Sequence, residues 1–569
     1  MNPLYIKNNQ VCALCEIPVA GWDEFAAEVR AMLADSQCHC VNYFAFKVQD
    51  GLQLIMCIAK DNTSSIAVLG HIASGSEIPS LQVEAVDRFE REIAENFKVV
   101  FTGHRWPKPV RTAPDDYPFY RSADEEHHEV GVGPIHAGVI EPGHFRFTCE
   151  GEKILNLEIM LGYQHRGVEP LMVSLPRLDQ KALLAEDIAG DTAVGHSVAF
   201  TSVVESLSGF EPDRGIIYAR MLALELERIA IHTGDLSAIC GDVAYQFGNA
   251  VYGRLRTPII NFMQKWCGNR LGKTSVRPFE APYPFTKELA ADLLKTLKAF
   301  EKDFDQISRQ VRHFPSVLSR LEKTGTVAYG QALEAGAVGM AARASGLCRD
   351  IRKSHPYLLY QSTDDTVVKH HGDVYSRTQV RMEEVMNSLA LVRRLVAEWP
   401  WDEEEAVTAS SSAAASSSAV ASSSAAASAS SSASAGQPGS GKELQFASGS
   451  GKELQFASGS GKELQFAPGS GKELQFAPGS GKELQFASDS GRELRLAPCS
   501  FVVSLVEGWR GEICHTAITA PDGTLALYKV KDPSFHNWRM LELAVRNNEI
   551  SDFPICNKSF NLSYCGHDL

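Results

Sequence analysis

Two rhythms of apolar and polar positions run along this chain, and the change between them comes near residue 128. Before about residue 115, the runs Leu54-Ile55-Met56-Cys57-Ile58-Ala59 and Ser65-Ile66-Ala67-Val68-Leu69 read as strands separated by helical stretches. The clearest predicted helix spans Leu81–Phe97, where Phe89, Ile93 and Phe97 recur every four residues and define one buried stripe. A proline-rich connector, Trp106–Pro118, closes a small α/β domain over residues 1–115.

Beyond residue 128 the strand signals are Gly143–Thr148 and Lys153–Ile159, and long helical patterns follow over Gly215–Leu236 and Lys287–Phe314. This pattern predicts a helical bundle with a small antiparallel sheet at its entrance, extending over 128–402. The whole reads as an α+β protein.

Both rhythms stop between Asp402 and Pro498. A Ser/Ala tract over 409–435 offers almost nothing to bury, and Gly439-Ser440-Gly441-Lys442-Glu443-Leu444-Gln445-Phe446-Ala447-Ser448 then repeats at a ten-residue period. Each copy supplies one Leu and one Phe, too little to offset the cost of ordering ten residues. The expectation for 403–498 is a disordered insertion, with a small repeat solenoid as the alternative. Gly436-Gln437-Pro438-Gly439-Ser440-Gly441-Lys442 imitates a phosphate-binding loop, but Glu443 stands where a Ser or Thr hydroxyl should hold Mg²⁺. Nucleotide binding is rejected there. Order resumes with the strand pattern Phe501–Val506, so the insertion interrupts one domain, whose last part is 499–569.

Composition narrows the function classes. Hydrophobic residues make up 44% and charged residues 22% of 569, as in a globular protein. A formal charge of −14 with no Lys/Arg cluster argues against a nucleic-acid partner. No secretory signal or bilayer-spanning run is legible, so membrane contact is expected only through partners. The 13 cysteines lack framework spacing and read as reduced, mostly buried thiols. Cys12-x-x-Cys15 with Cys38-His39-Cys40 could be imagined as a zinc site, but ordinary burial of free cysteine is the preferred reading.

One stretch carries chemistry by what it lacks. Glu186-Asp187-Ile188-Ala189-Gly190-Asp191-Thr192-Ala193-Val194-Gly195-His196 resembles the first metal-binding motif of nickel–iron hydrogenase large subunits, R-x-C-G-x-C-x-x-x-H. Gly190 and His196 stand in register, and Ala189 and Thr192 occupy the cysteine positions. The C-terminal counterpart, D-P-C-x-x-C, is matched by Asn561–His567, with Ser563 and Gly566 at its cysteine positions. A nickel–iron centre needs soft thiolates, and none of these four residues supplies one. A shifted site using Cys565 and His567 is conceivable, but a lone thiolate cannot both bridge two metals and ligate nickel.

Further segments widen the resemblance: the helix Arg88–Phe97, Gly133-Pro134-Ile135-His136, Glu141–Arg146, Tyr163–Glu169, Glu225-Leu226-Glu227-Arg228, Arg343–Gly346 with Arg349-Asp350 and His355-Pro356, and Asp373-Val374 with Ser376-Arg377. In order, they resemble the large subunit of membrane-bound, energy-converting hydrogenases, which fuses a complex I 30-kDa-like domain to a 49-kDa-like domain. The resemblance implies a hydrogenase-large-subunit-like bundle and a polar cavity where the metal would have been.

It also implies roles for particular residues. Catalytic roles are expected of Glu169, Asp191, His196 and Arg510, with proton relay and a structural role about equally expected for the first three. Arg510 matches the arginine beside the iron's diatomic ligands. Substrate contacts are expected of His136, His144 and Arg177; His144 matches the quinone-binding histidine of complex I, and Arg177 stands at its tyrosine position. The expected chain binds no metal or cofactor of its own, a quinone being possible. Its expected partners are a small iron–sulfur subunit and membrane subunits at the cytoplasmic face of the inner membrane. The implied function is electron transfer to a quinone-like or unknown acceptor, coupled to ion translocation. A silent scaffold is the alternative, and an active hydrogenase fails on the missing cysteines. The plainer reading of His165-Arg166 and Asp373/Arg377 is buried ion pairs holding loops, and His232 is expected to be a structural histidine rather than a proton carrier.

Overall fold

The strand β5 (Gly51–Lys60) reads as continuously apolar because both faces of its sheet are covered. It lies between β4 (Cys38–Val48) and β6 (Ser65–Ala73), antiparallel to both, and β1 (Leu4–Ile6) and β3 (Val19–Ala20) add to the far side of β6. Alternation along these strands splits the side chains into two sets. Tyr43, Leu54, Met56 and Leu69 pack on α1 (Trp22–Leu33) and α2 (Asp87–Phe97). Phe44, Ile55, Cys57 and Val68 face the rest of the protein. This is a computed structural model, and it describes residues 2–112, 117–138, 140–361, 366–401 and 496–569. The Ser/Ala tract and the decapeptide repeats lie outside the described residues.

The helix predicted from Leu81 starts later. Ser80 Oγ and the Leu81 amide both donate to the Glu90 carboxylate, at 2.6 and 2.7 Å, which holds that segment as a loop until a 3₁₀ turn at Glu84–Val86. Short strands β7 (Glu77–Pro79) and β8 (Val100–Thr102) flank α2 in parallel. The first 115 residues do not stand alone: β2 (Cys12–Ala13) joins the C-terminal sheet, pairing Cys12 with Phe501. Residues on both sides of the insertion cluster as one unit, Met1–Glu405 with Leu494–Leu569.

The predicted small sheet is the antiparallel β9 (His128–Val132), β10 (His144–Glu150) and β11 (Lys153–Met160). Short helices α3 (Val168–Ser174) and α4 (Leu178–Glu186) lead into α5 (Ala193–Ser208) and α6 (Arg214–Asp242). Helix α6 outruns its prediction at both ends; Asp213 accepts the Ile216 amide at 2.8 Å as N-cap. It is buried on nearly every side, so its charged residues must find partners inside. Then come α7 (Gln246–Cys267) and α8 (Lys287–His313), the latter capped by Thr286 and stopped by Phe314-Pro315. The short helices α9 (Pro315–Leu321), α10 (Tyr329–Glu334), α11 (Gly339–Ala344) and α12 (Ile351–Ser354) precede α13 (Val374–Ala397).

The C-terminal part adds β12 (Ser500–Glu507), β13 (Glu512–Thr519) and β14 (Leu525–Lys531) in the order β14-β13-β12-β2. Helices α14 (Pro533–Ala544), α15 (Phe553–Phe560) and α16 (Tyr564–Asp568) close the chain. Among the described residues no helix is long and apolar enough to cross a membrane.

Candidate functional site: two altered metal motifs

The two motifs far apart in sequence meet through Arg166. Its guanidinium donates to the carbonyls of Asp187 and Ile188, at 2.5 and 3.0 Å, and to that of Cys565 at 3.0 Å. Arg166 thus holds loops through carbonyls, not through an ion pair. The same holds for Arg377, which binds the Gly372 and Gly325 carbonyls while Asp373 caps α13.

At the first motif, Arg510 and Asp191 form a two-pronged pair, Nη1–Oδ1 at 2.7 Å and Nη2–Oδ2 at 2.6 Å. Arg510 Nη1 also donates to Thr192 Oγ1 at 2.9 Å, so the hydroxyl at a cysteine position serves as an acceptor for the guanidinium. The tight turn at Gly508–Gly511 between β12 and β13 presents Arg510, and Trp509 lies 4.0 Å under it. The Trp509 indole donates to the Asp191 carbonyl at 2.8 Å. Burial alone would lower the Arg510 pKa, but the Asp191 carboxylate holds it above the ordinary value. Arg510 is buried, whereas the Asp191 side chain is 36% exposed, so the pair presents its acidic edge to solvent.

At the second motif, Ser563 Oγ accepts the Gly566 amide at 2.9 Å and caps α16. Gly566 has no room for a side chain: a Cβ there would lie 2.7 Å from Asp532 Cγ. Ala189 and Thr192 are wholly buried. A methyl, two hydroxyls and a space filled by a neighbouring carboxylate do not fit a nickel–iron centre. Cys565 lies 3.3 Å from Ser563 Oγ, its thiol pushed up by burial and then by Glu141. His567 does not join it; its Nδ1 bonds Asp568 at 2.9 Å and its ring stacks on Phe535. Among the described residues no three His, Cys, Asp or Glu side chains are placed to hold a metal ion. The N-terminal cysteines follow suit: Cys40 contacts the Met56 sulfur, Cys12 is buried and Cys15 exposed.

Behind the Arg510 pair runs a buried row of hydrogen bonds. His196 Nε2 meets Asp532 Oδ2 at 3.1 Å, His196 Nδ1 meets His515 Nε2 at 3.0 Å, and His515 Nδ1 meets the Tyr528 hydroxyl at 2.8 Å. With both rings neutral, the Asp532 end fixes the tautomers. Asp532 can only accept: burial would raise its pKa, but the bond from His196 and the Arg510 charge hold it at about 2. His196 Nε2 therefore donates, its Nδ1 accepts from His515, and His515 Nδ1 accepts the Tyr528 O–H. Burial, then His196, keeps the His515 pKa well below the ordinary value, in line with a neutral ring.

Glu169 lies elsewhere. Helix α3 runs beside the edge strand β14, where the Val530 amide lacks a strand partner, and Glu169 Oε1 accepts it at 3.0 Å. Its other oxygen pairs with Lys529, which also bonds Glu92 at 3.0 Å. These groups line a cavity of about 420 Å³ together with Arg111, His165 and Tyr528. The expectation that Glu169 shares a cavity wall with Asp191 and Arg510 is corrected on this point.

The proposed substrate contacts are also placed differently. His136 Nε2 donates to the Gly143 carbonyl (2.7 Å) and His144 Nδ1 to the Gly133 carbonyl (3.1 Å), so the pair closes the β9–β10 connection on itself. That connection does reach the second motif, since Gly143 packs against Tyr564. Arg177 is 70% exposed at the N-cap of α4 and pairs with Asp179, so burial, not sequence position, removes it from any cavity.

Several site residues escaped the sequence reading. Glu227 accepts the Val194 and Gly195 amides at 2.8 and 3.2 Å, setting its carboxyl against the first turn of α5. Burial pushes it up to about 8 against those amides. Asp532-Pro533 is a helix-start signal that could have flagged Asp532, but nothing local marks His515 or Tyr528. His232 is set between Glu384 (2.9 Å) and Arg381 (3.0 Å).

Comparison with known proteins agrees with this geometry. Residues 245–436 match the family described as respiratory-chain NADH dehydrogenase, 49 Kd subunit. The carbon monoxide-induced hydrogenase of Rhodospirillum rubrum is 27% identical over 273 residues, 48% of this chain and 75% of that one. The fused C/D component of the NADH-quinone oxidoreductase of Phocaeicola vulgatus is 28% identical over 286 residues, 49% of this chain and 53% of that one. The matched region spans about half the length of several such relatives. Among solved structures, a chain of the membrane-bound sulfane sulfur reductase (MBS), an archaeal respiratory membrane complex, shares the fold with a TM-score of 0.58 at 17% identity, covering 79% of this chain and 100% of that one. Residues 245–436 carry a 49-kDa-type domain, and the chain is similar to complex I-like, hydrogenase-related large subunits.

Proposed function

We propose that this chain is the large subunit of a membrane-associated oxidoreductase complex that works without a nickel–iron centre. Electrons arrive from iron–sulfur clusters in a small partner subunit and pass to a quinone-like or other acceptor, with coupling to ion movement in membrane subunits at the cytoplasmic face. The observation that carries the reading is the content of the four ligand positions. Thr192 is engaged by Arg510, Ser563 caps a helix, Ala189 is a methyl, and the space at Gly566 is filled by Asp532. Relatives named as parts of a membrane-bound hydrogenase and of an NADH-quinone oxidoreductase support a membrane-associated setting.

Reducing an acceptor consumes protons as well as electrons. The row from Tyr528 to Asp532 is oriented to supply one: the phenol gives its proton to His515, His515 to His196, and His196 to Asp532 beside the altered motif. A fresh proton then enters at Tyr528 from the cavity of Glu169 and Lys529, so that cavity and the altered motif act as the two ends of one device. The Arg510–Asp191 pair supplies fixed charge at the acceptor end.

The test is purification of the intact complex with metal analysis and a survey of acceptors. Nickel well below stoichiometry is expected, with acceptor reduction slowed at least tenfold by Asp191→Asn and given an altered pH profile by Tyr528→Phe. Stoichiometric nickel with hydrogen evolution sinks the reading. Activity untouched by either variant assigns the chain to a scaffold role instead.

A further inference from the structure

A second cavity, of about 200 Å³, opens where α2 meets β11 and α14. Arg88, Arg91, Arg105, Arg539 and Arg546 line it, with His536. Acidic residues line it as well, but their charges are already committed. Glu84 and Glu542 bind Arg539 at 2.7 and 2.9 Å, Asp87 pairs with Arg105 at 3.3 Å, and Glu158 holds Lys108 and the Tyr120 amide. Arg91 is spent on the carbonyls of Lys108 and Pro109.

Three donors remain poorly matched. Arg88 has its nearest partners at 3.5 Å on both sides, Glu542 and His567. Arg546 bonds Asn156 through Nη2 at 3.2 Å, but its buried Nε has no partner. His536 is 5% exposed, and its Nε2 also has none. A buried donor without an acceptor costs about 1–3 kcal/mol, so two of them around one cavity, beside the loosely held Arg88, call for an occupant. Five arginines on one wall favour an anionic occupant, and His536 feels the same positive field: burial, then His39, Lys531, Arg349 and Arg88, lowers its pKa to about 3. Burial likewise lowers Arg88 to about 10, because Glu542 compensates it only weakly.

We propose that this cavity binds a small tetrahedral oxyanion of the phosphate class, held by Arg88, Arg546 and the His536 Nε2–H. The three donors come from α2, the start of α14 and the chain just past its end. Acceptor oxygens on every side suit that arrangement better than a planar carboxylate does. The volume takes one phosphate with a few waters. No exposed large apolar side chain lines the mouth, which sets the site apart from a bilayer-facing surface.

The experiment titrates inorganic phosphate into the full chain by calorimetry and by thermal melting, against chloride at matched ionic strength. One saturable site is expected, with a melting temperature raised by phosphate alone. Arg88→Gln and Arg546→Gln should each weaken binding at least tenfold, whereas Arg254→Gln, at an exposed pair with Asp303, should leave it unchanged. If Arg88→Gln does not fold, Arg546→Gln, at a half-exposed position, carries the test. Phosphate no better than chloride, binding indifferent to both variants, or a crystal soaked in phosphate that shows only water in the cavity would each overturn the proposal.

Discussion

At Gly566 the absence of one atom decides what the pocket can hold. The Asp532 carboxylate stands where a Cβ would go, and it is fixed from the other side by His196 and by the Ser534 amide at 2.8 Å. A methyl there must push a fully buried carboxylate off its partners. Gly566→Ala is therefore expected to cost about 1–3 kcal/mol in urea unfolding. It should also perturb the His196 ring ¹⁵N shifts, which report the tautomer. A silent, fully stable alanine variant would mean that Asp532 does not own that space. The sequence exposed the loss of sulfur at 189, 192, 563 and 566, because identity alone shows it. It could not expose the replacement, because Asp532 lies 34 positions upstream of Gly566 and reaches it only through the turn into α14.

At the scale of elements, strands β4 and β13 are clasped by a charge inside the core. His39 Nε2 bonds Glu512 at 2.7 Å, its Nδ1 faces Asp61 at 3.4 Å, and His355 bonds Asp61 at 3.1 Å. Burial would lower the His39 pKa, but Glu512 and Asp61 raise it from 6.5 to about 9. A folded value above the ordinary one means the stabilisation is complete below pH 6.5 and is lost as pH rises through about 9. Between about pH 6 and pH 10 the wild-type chain should lose on the order of 3 kcal/mol more unfolding free energy than His39→Gln. Parallel pH dependences of the two proteins would refute the clasp. From the sequence, Cys38-His39-Cys40 could be weighed only as a metal motif or as buried thiols. The ion pair was illegible because its partner lies on a strand 473 residues away.

For the whole molecule, the boundary read near residue 115 is a change of composition and not a break in the core. Asn8 exchanges hydrogen bonds with Leu505 at 2.8 and 2.9 Å, Cys12 pairs with Phe501, and Glu92 of α2 pairs with Lys529 and Lys531 of β14. The outer face of the β4–β6 sheet rests on the same central core. A fragment of residues 1–112 should thus lack a cooperative thermal transition, whereas the full chain keeps one. Independent two-state melting of that fragment would restore the two-domain view.

Sequence by itself determined the local facts: which stretches are amphipathic, where a repeat of low apolar content interrupts the fold, and which four positions lack sulfur. These depend on residue identity and spacing, and the helices over Lys287–His313 and Asp87–Phe97 follow from them. Only the tertiary structure decided which polar groups meet. It sent Glu169 to the β14 edge and Arg177 to solvent, and it strung His196 to Tyr528 through His515. The physical reason is that a buried polar group must find a partner wherever the packed core offers one. That partner is chosen by three-dimensional proximity, which no local pattern records.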